Sequence, residues 1–194
     1  MAPPAVILAS GSPYRRALLA RLGVAFTVES PDVDEAARQQ EPPLERARRL
    51  AQEKSLKVAA AHPAALVIGS DQVACSAGVV LDKPGTLDGA RAQLARLSGS
   101  SAEFHTACAA ICLARSYRLT HVDTTRVVFR TLRAAEIERY VAAERPLDCA
   151  GSFKAEALGI SLLERIESSD PTALIGLPLI WVASALRRVG YELP

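Results

Sequence analysis

Short apolar runs alternate with stretches of helical period along this chain, the pattern of an α/β protein. Val6 to Ala9 is an apolar run that ends at Ser10-Gly11-Ser12-Pro13, after which Ala17, Leu18 and Leu22 recur at helical spacing. This predicts strand, turn and helix. Ser12 suits the N-cap, Pro13 the first helical position where its missing N–H costs nothing, and Gly23 the close. Phe26 and Val28 predict a second strand, and Pro42-Pro43 opens a helix to about Ala61 with an inner stripe of Ala47, Leu50, Ala51, Lys54 and Val58. Leu66 to Val73 predicts a core strand, and Ser76-Ala77-Gly78 a turn into Val79-Val80-Leu81. Thr86 caps a helix that carries Leu87, Ala90, Leu94 and Leu97 and ends at Gly99. Two long segments, roughly Ala102 to Ala114 and Arg118 to Leu132, predict an extended hairpin joined near Arg115-Ser116. Ile137, Tyr140 and Val141 mark a helix ended by Pro146. Ile160 to Ile166 reads as a strand, Asp170-Pro171 as a turn, and Gly176-Leu177-Pro178 as the entry to a closing helix that Gly190 ends.

Polar residues that break these patterns are the candidates for chemistry. Alternation along Leu66 to Val73 places Asp71 on one face and Gln72 on the other, with Gly69 leaving room beside the acid. A buried unpaired carboxylate is expensive, so Asp71 must line a cleft, pair with a cation or bind a metal. Lys54, on an apolar helix face, either snorkels to the edge or reaches into a cleft as a fixed charge. The free N–H groups of the helix opened by Ser12 and Pro13, with Arg15 and Arg16 at its edge, describe an anion site. Successive helical residues are about 100° apart, so one arginine binds a phosphate while the other supports it. Asp32, Asp34 and Glu35 in the turn from Ser30 form either a metal site or an exposed turn. Arg46, Arg48, Arg49 and Lys57 read as surface charge. Lys83 sits on a rigid Asp82-Lys83-Pro84-Gly85 loop, and the polar, glycine-bearing stretch from Leu147 to Gly159 suits a binding loop.

The 194 residues predict one domain, 1–194, with 49% hydrophobic and 23% charged residues, a globular balance. A net charge of +2 from scattered arginines gives no basic surface for a nucleic acid polymer. No apolar run approaches the roughly 20 residues of a membrane span, and the first residues lack a positive n-region, so a cytoplasmic protein without membrane attachment is expected. Cys75, Cys108, Cys112 and Cys149 lack CxxC spacing and read as small core residues. Three histidines without HExxH or HxH pairing make imidazole-bound zinc unexpected, and any metal is expected to be oxygen-bound. Cations with carboxylates suggest a polyphosphate and a divalent metal, yet neither GxxxxGK[ST] nor GxGxxG is present to cradle it.

Ala9-Ser10-Gly11-Ser12-Pro13-Tyr14-Arg15-Arg16, Gly69-Ser70-Asp71-Gln72-Val73, Asp82-Lys83-Pro84 and Gly176-Leu177-Pro178, in this order, resemble the Maf family of nucleoside triphosphate pyrophosphatases. The resemblance covers nearly the whole chain. It implies a two-lobed α/β fold, an elongated mixed sheet flanked by helices with a central cleft, similar to inosine triphosphate pyrophosphatases, in a homodimer. It also implies hydrolysis of a nucleoside triphosphate to the monophosphate and pyrophosphate with Mg²⁺ or Mn²⁺. Ser10, Arg15, Arg16, Glu35, Lys54, Asp71 and Lys83 match the family's active-site positions, with Ser10, Ser12, Arg15, Arg16, Lys54 and Lys83 expected on phosphate. Asp71 is expected to act as proton acceptor or, with Glu35, as metal ligand.

Tyr14 and Gln72 stand where the commonest family form has Arg and Thr. With Lys154-Ala155-Glu156 they resemble the subgroup acting on 7-methyl-GTP. A 7-methylated guanine is cationic, so Tyr14 can stack on it, Glu156 neutralise it and Gln72 read an edge. The alternatives are a dTTP or UTP pyrophosphatase, or a nucleotide-binding regulator of cell division without turnover.

Overall fold

The computed structural model describes residues 2–194, which form seven strands and five α-helices. Strands β1 (Val6–Ala9), β2 (Phe26–Glu29), β3 (Leu66–Ser76), β5 (Ser101–Cys112), β6 (Tyr117–Phe129) and β7 (Leu163–Glu167) run in the order β2-β1-β3-β5-β6-β7, with β4 (Val79–Val80) on β3. Pairing of β1 is parallel to β2 and β3, while β3 with β4 and β6 with β7 are antiparallel, so the sheet is mixed. The helices are α1 (Pro13–Ala20), α2 (Pro43–Ala61), α3 (Leu87–Leu97), α4 (Ala134–Glu144) and α5 (Leu179–Arg188). Among the described residues no helix is long and apolar enough to cross a membrane.

The chain divides into two compact units. The first holds the residues up to Gln72 with Thr106–Asp123 and Asp170–Pro194, and the second holds Val73–His105 and Thr124–Ser169. In the first, the sheet is covered on both faces, as parallel strands require. Val6, Leu8, Leu66 and Ile68 pack with Leu18, Leu19 and the apolar side of α5, whereas Ile7, Ala9 and Val67 pack with Val58 and Ala59 of α2. The expected stripe on α2 is buried throughout, Lys54 included. Gly69 has a different use from the one its sequence position suggested. A Cβ there would stand 2.8 Å from the Ala51 carbonyl and would also strike Ser55 Oγ, so the glycine lets α2 lie directly on β3. That close approach sets Lys54 beside Asp71. In the second unit, Phe153 meets Phe104 and Phe129 edge-on, with centroids 5.5 and 5.4 Å apart, in a core closed by α3 and α4.

Two expectations need correction. Leu158–Leu162 is a 3₁₀ turn rather than strand, in which Ser161 Oγ donates to the Leu158 carbonyl at 2.8 Å, a local bond that favours turns, and β7 begins only at Leu163. The first hairpin arm stops at Cys112, since Leu113–Arg115 forms a 3₁₀ turn closed by Ser116 at a φ of 51°, and the second runs from Tyr117 only to Phe129.

Candidate active site

The turn after β1 is organised by two hydroxyls. Ser10 Oγ accepts the Ser12 N–H at 3.1 Å and Arg15 Nη1 at 3.5 Å, and Ser12 Oγ caps α1 by accepting the Arg15 N–H at 3.4 Å. Arg15 Nε donates to the Gly176 carbonyl at 2.9 Å, so the guanidinium is held from two sides. Its burial lowers its pKa below the ordinary value, and the nearby charge of Asp71 leads the opposing effects, with Glu35 adding to it. An arginine under these influences stays charged. Arg16 is exposed and lies with Pro13, Ala17 and Ala20 beside β2. The structure therefore brings Arg15 to the acid and leaves Arg16 on the other side of α1.

Lys54 Nζ is 2.6 Å from Asp71 Oδ1 and 2.6 Å from Glu35 Oε1. The Lys54 and Asp71 side chains are only 7% and 10% exposed, against 60% for Glu35. This lysine does not snorkel: it is the cation that a buried acid on a core strand demands. Removing one member of a buried pair typically costs about 3–5 kcal/mol, because the other is left charged and dry.

Arg46 and Arg49, expected as plain surface charge, instead pin the acidic segment to α2. Arg46 Nη2 donates to the Glu35 carbonyl at 3.0 Å and Arg49 Nη2 to the Ala36 carbonyl at 3.1 Å. Arg49 also bonds Glu41 at 2.6 Å and Glu53 at 3.0 Å. The hydrogen bond from Arg49 brings the Glu41 carboxyl down from its ordinary 4.5 to about 2.

Beyond Asp71 the strand keeps its alternation, and Ser70 and Gln72 face the opposite side. Ser70 Oγ lies 2.8 Å from both the Ala107 and Gly176 carbonyls. Gln72 Nε2 reaches Thr106 Oγ1 at 2.9 Å and the Ala173 and Leu174 carbonyls at 3.2 and 3.0 Å, and Thr106 Oγ1 itself donates to Ala173. These bonds hold a 3₁₀ turn, Ala173–Ile175, that ends at Gly176 with a φ of 124°, a conformation glycine favours. Asp170, read from sequence as a turn residue, is 4% exposed and accepts the Thr172 N–H at 2.9 Å and the Ile180 N–H at 2.7 Å, fixing the start of α5. Gly176 is thereby delivered to Arg15.

Ser70, Thr106 and Asp170 are the residues sequence reasoning missed as positioning groups. Small hydroxyls in apolar strands carry no signal of their partner, whereas a buried acid before Pro171 could have been suspected as a cap. In the second unit, Lys83 is exposed on the loop after β4, and Glu156 is exposed between α4 and β7. Lys154 is half-buried, with Nζ donating to the Glu144 carbonyl at 3.1 Å and its N–H to Tyr140 Oη at 3.0 Å. Tyr14 is half-buried in the first turn of α1.

A helix N-terminus, a tethered guanidinium and an ammonium between two carboxylates form a fixed-charge site suited to a polyanionic ligand in an α/β protein. The chain belongs to the Maf family: the model described as Maf-like protein matches residues 5–189. It is 53% identical over 191 residues to the 7-methyl-GTP pyrophosphatase of Xanthomonas axonopodis pv. citri (strain 306), covering 98% of this chain and 100% of that one. It is 50% identical over 194 residues to the 7-methyl-GTP pyrophosphatase of Bordetella pertussis, covering 98% and 94% respectively.

Proposed function

We propose that the chain is a nucleoside triphosphate pyrophosphatase acting on 7-methyl-GTP, releasing 7-methyl-GMP and pyrophosphate. The observation that carries this reading is the Lys54 bridge between Asp71 and Glu35 in a chain half identical to proteins of that name. Water attacks the α-phosphorus, Asp71 takes its proton, the bond to the bridging oxygen breaks, and pyrophosphate leaves. Arg15, the N–H groups at Ser12 and the Ser10 hydroxyl hold phosphate oxygens, with Lys54, Lys83 and Arg16 adding positive charge. Tyr14 stacks on the methylated base, Glu156 balances its charge, and Gln72 sets the base-binding side through the Ala173–Leu174 carbonyls it holds.

The donor set suits a hard cation, because two anionic oxygens already converge on one positive centre, the Lys54 ammonium. In the alternative role of Asp71 as ligand, it and Glu35 would hold Mg²⁺ or Mn²⁺, which supplies neutralising charge on the phosphates and acidifies water. A cytoplasmic homodimer belongs to the same reading, and light scattering checks the dimer. Phosphorus NMR of the products tests the reaction itself. Pyrophosphate with 7-methyl-GMP is expected, orthophosphate with 7-methyl-GDP contradicts the cleavage site, and binding without turnover identifies a nucleotide sensor instead.

A further inference from the structure

A second group of potential ligands lies wholly in the second unit, on two neighbouring strands. Cys75 is on β3, and Glu103 and His105 are two residues apart on β5 and so share a face. Cys75 Sγ is 3.7 Å from His105 Nε2, which is 3.7 Å from Glu103 Oε2, and one ligand atom from each residue lies within 4.8 Å of the others. Among the described residues this is the cluster in which three metal-ligating side chains converge. We propose that Cys75, Glu103 and His105 bind a thiophilic divalent cation of the Zn²⁺ class.

The spacing matches that of ligands around one ion and, without an ion, leaves Cys75 and His105 in a long sulfur–imidazole hydrogen bond. With Zn–S near 2.3 Å and Zn–N and Zn–O near 2.1 Å at tetrahedral angles, sulfur and nitrogen stand about 3.6 Å apart, and nitrogen and oxygen about 3.4 Å. The Cys75–His105 and His105–Glu103 separations differ from these by a few tenths of an ångström, Cys75 and Glu103 lie within 4.8 Å of one another, and the Glu103 side chain, 53% exposed, has the freedom to close its share. At 3.7 Å, His105 and Glu103 form a long ion pair with no hydrogen bond between them.

His105 is also oriented for ligation. Its Nδ1 is 3.0 Å from Thr124 Oγ1, and in the tautomer that donates from Nδ1 the Nε2 lone pair points toward Cys75 and Glu103. Cys75 and His105 are buried while Glu103 meets solvent, so an ion enters past the carboxylate, which leaves the fourth tetrahedral position for water. Sulfur and imidazole select a softer ion than the all-oxygen pair Asp71 and Glu35, so the two positions are chemically distinct. Bound metal would tie β3 to β5.

Cobalt titration of the chelator-treated full chain tests this. A thiolate-to-cobalt charge-transfer band that saturates at one equivalent and is bleached by Zn²⁺ is expected in the wild type, in Cys149→Ser and in Asp71→Asn. Loss of the band is expected in Cys75→Ser. Glu103→Gln, at an exposed position where the fold is unaffected, should weaken cobalt binding at least about tenfold, and it decides the matter should Cys75→Ser fold poorly. Absence of the band in the wild type, its survival in Cys75→Ser, its loss in Cys149→Ser, or unchanged affinity in Glu103→Gln overturns the proposal.

Discussion

The two units present their charged candidates in opposite ways. In the first, Lys54 and Asp71 are nearly dry, Arg15 is tethered to Ser10 and Gly176, and Arg46 and Arg49 fasten the acidic segment. Lys83 and Glu156 of the second stand on exposed stretches between elements. Fixed, desolvated charges act strongly on a developing transition state because they need no reorganisation. Exposed charges are screened and adaptable, which suits trimming of affinity and choice of base. On the proposed reading, the proton transfer at Asp71 rests on the buried charges of the first unit, and Lys83 and Glu156 of the second add weaker, screened interactions.

Asp71→Asn is the severest way to break the comparison. On the proposed mechanism, loss of the proton acceptor should lower kcat about 10²–10⁴-fold. Metal titration of the same variant sharpens the role: unchanged metal affinity marks a base, and weakened affinity marks a ligand. Gly69→Ala comes next, because its methyl group enters the space held by Ala51 and Ser55. Overpacking there should cost about 1–3 kcal/mol in chemical denaturation and, by displacing α2, lower turnover as well. Lys83→Ala should reduce kcat/KM about tenfold, the worth of roughly 1.4 kcal/mol of transition-state charge stabilisation, with no change in melting temperature. A melting temperature that falls with activity would show Lys83 to be structural.

The smallest effect is on pH. Glu41 titrates below its ordinary value when folded, so its contribution to stability is fully present above about pH 4.5 and is lost as pH falls toward about 2. Glu41→Gln should therefore flatten the acid limb of the stability profile.

What the sequence disclosed follows the range of the interactions. Ser12, Pro13 and Gly23 mark α1 through bonds within one turn, and the stripe on α2 is a matter of period, so both were legible. The acid on β3 announced its need for a cation, and Lys54 announced itself as a charge on a buried face. Their meeting depends on Gly69 admitting α2, which no local pattern states. Arg16 could be separated from Arg15 only once the turn before α1 had a direction. Cys75 and His105 lay outside any ligand spacing because their proximity is created across strands, 30 positions apart in the chain. The 3₁₀ segment at Leu158–Leu162 has the apolar composition of a strand, while the Ser161 hydroxyl bonds back within the turn, a local choice that composition does not show.

Initial rates of pyrophosphate release from 7-methyl-GTP, GTP, dTTP and UTP test the central claim most directly. The highest kcat/KM is expected for 7-methyl-GTP, with a preference over GTP that shrinks in Tyr14→Ala and Glu156→Gln. Equal or faster release from dTTP or UTP would contradict it.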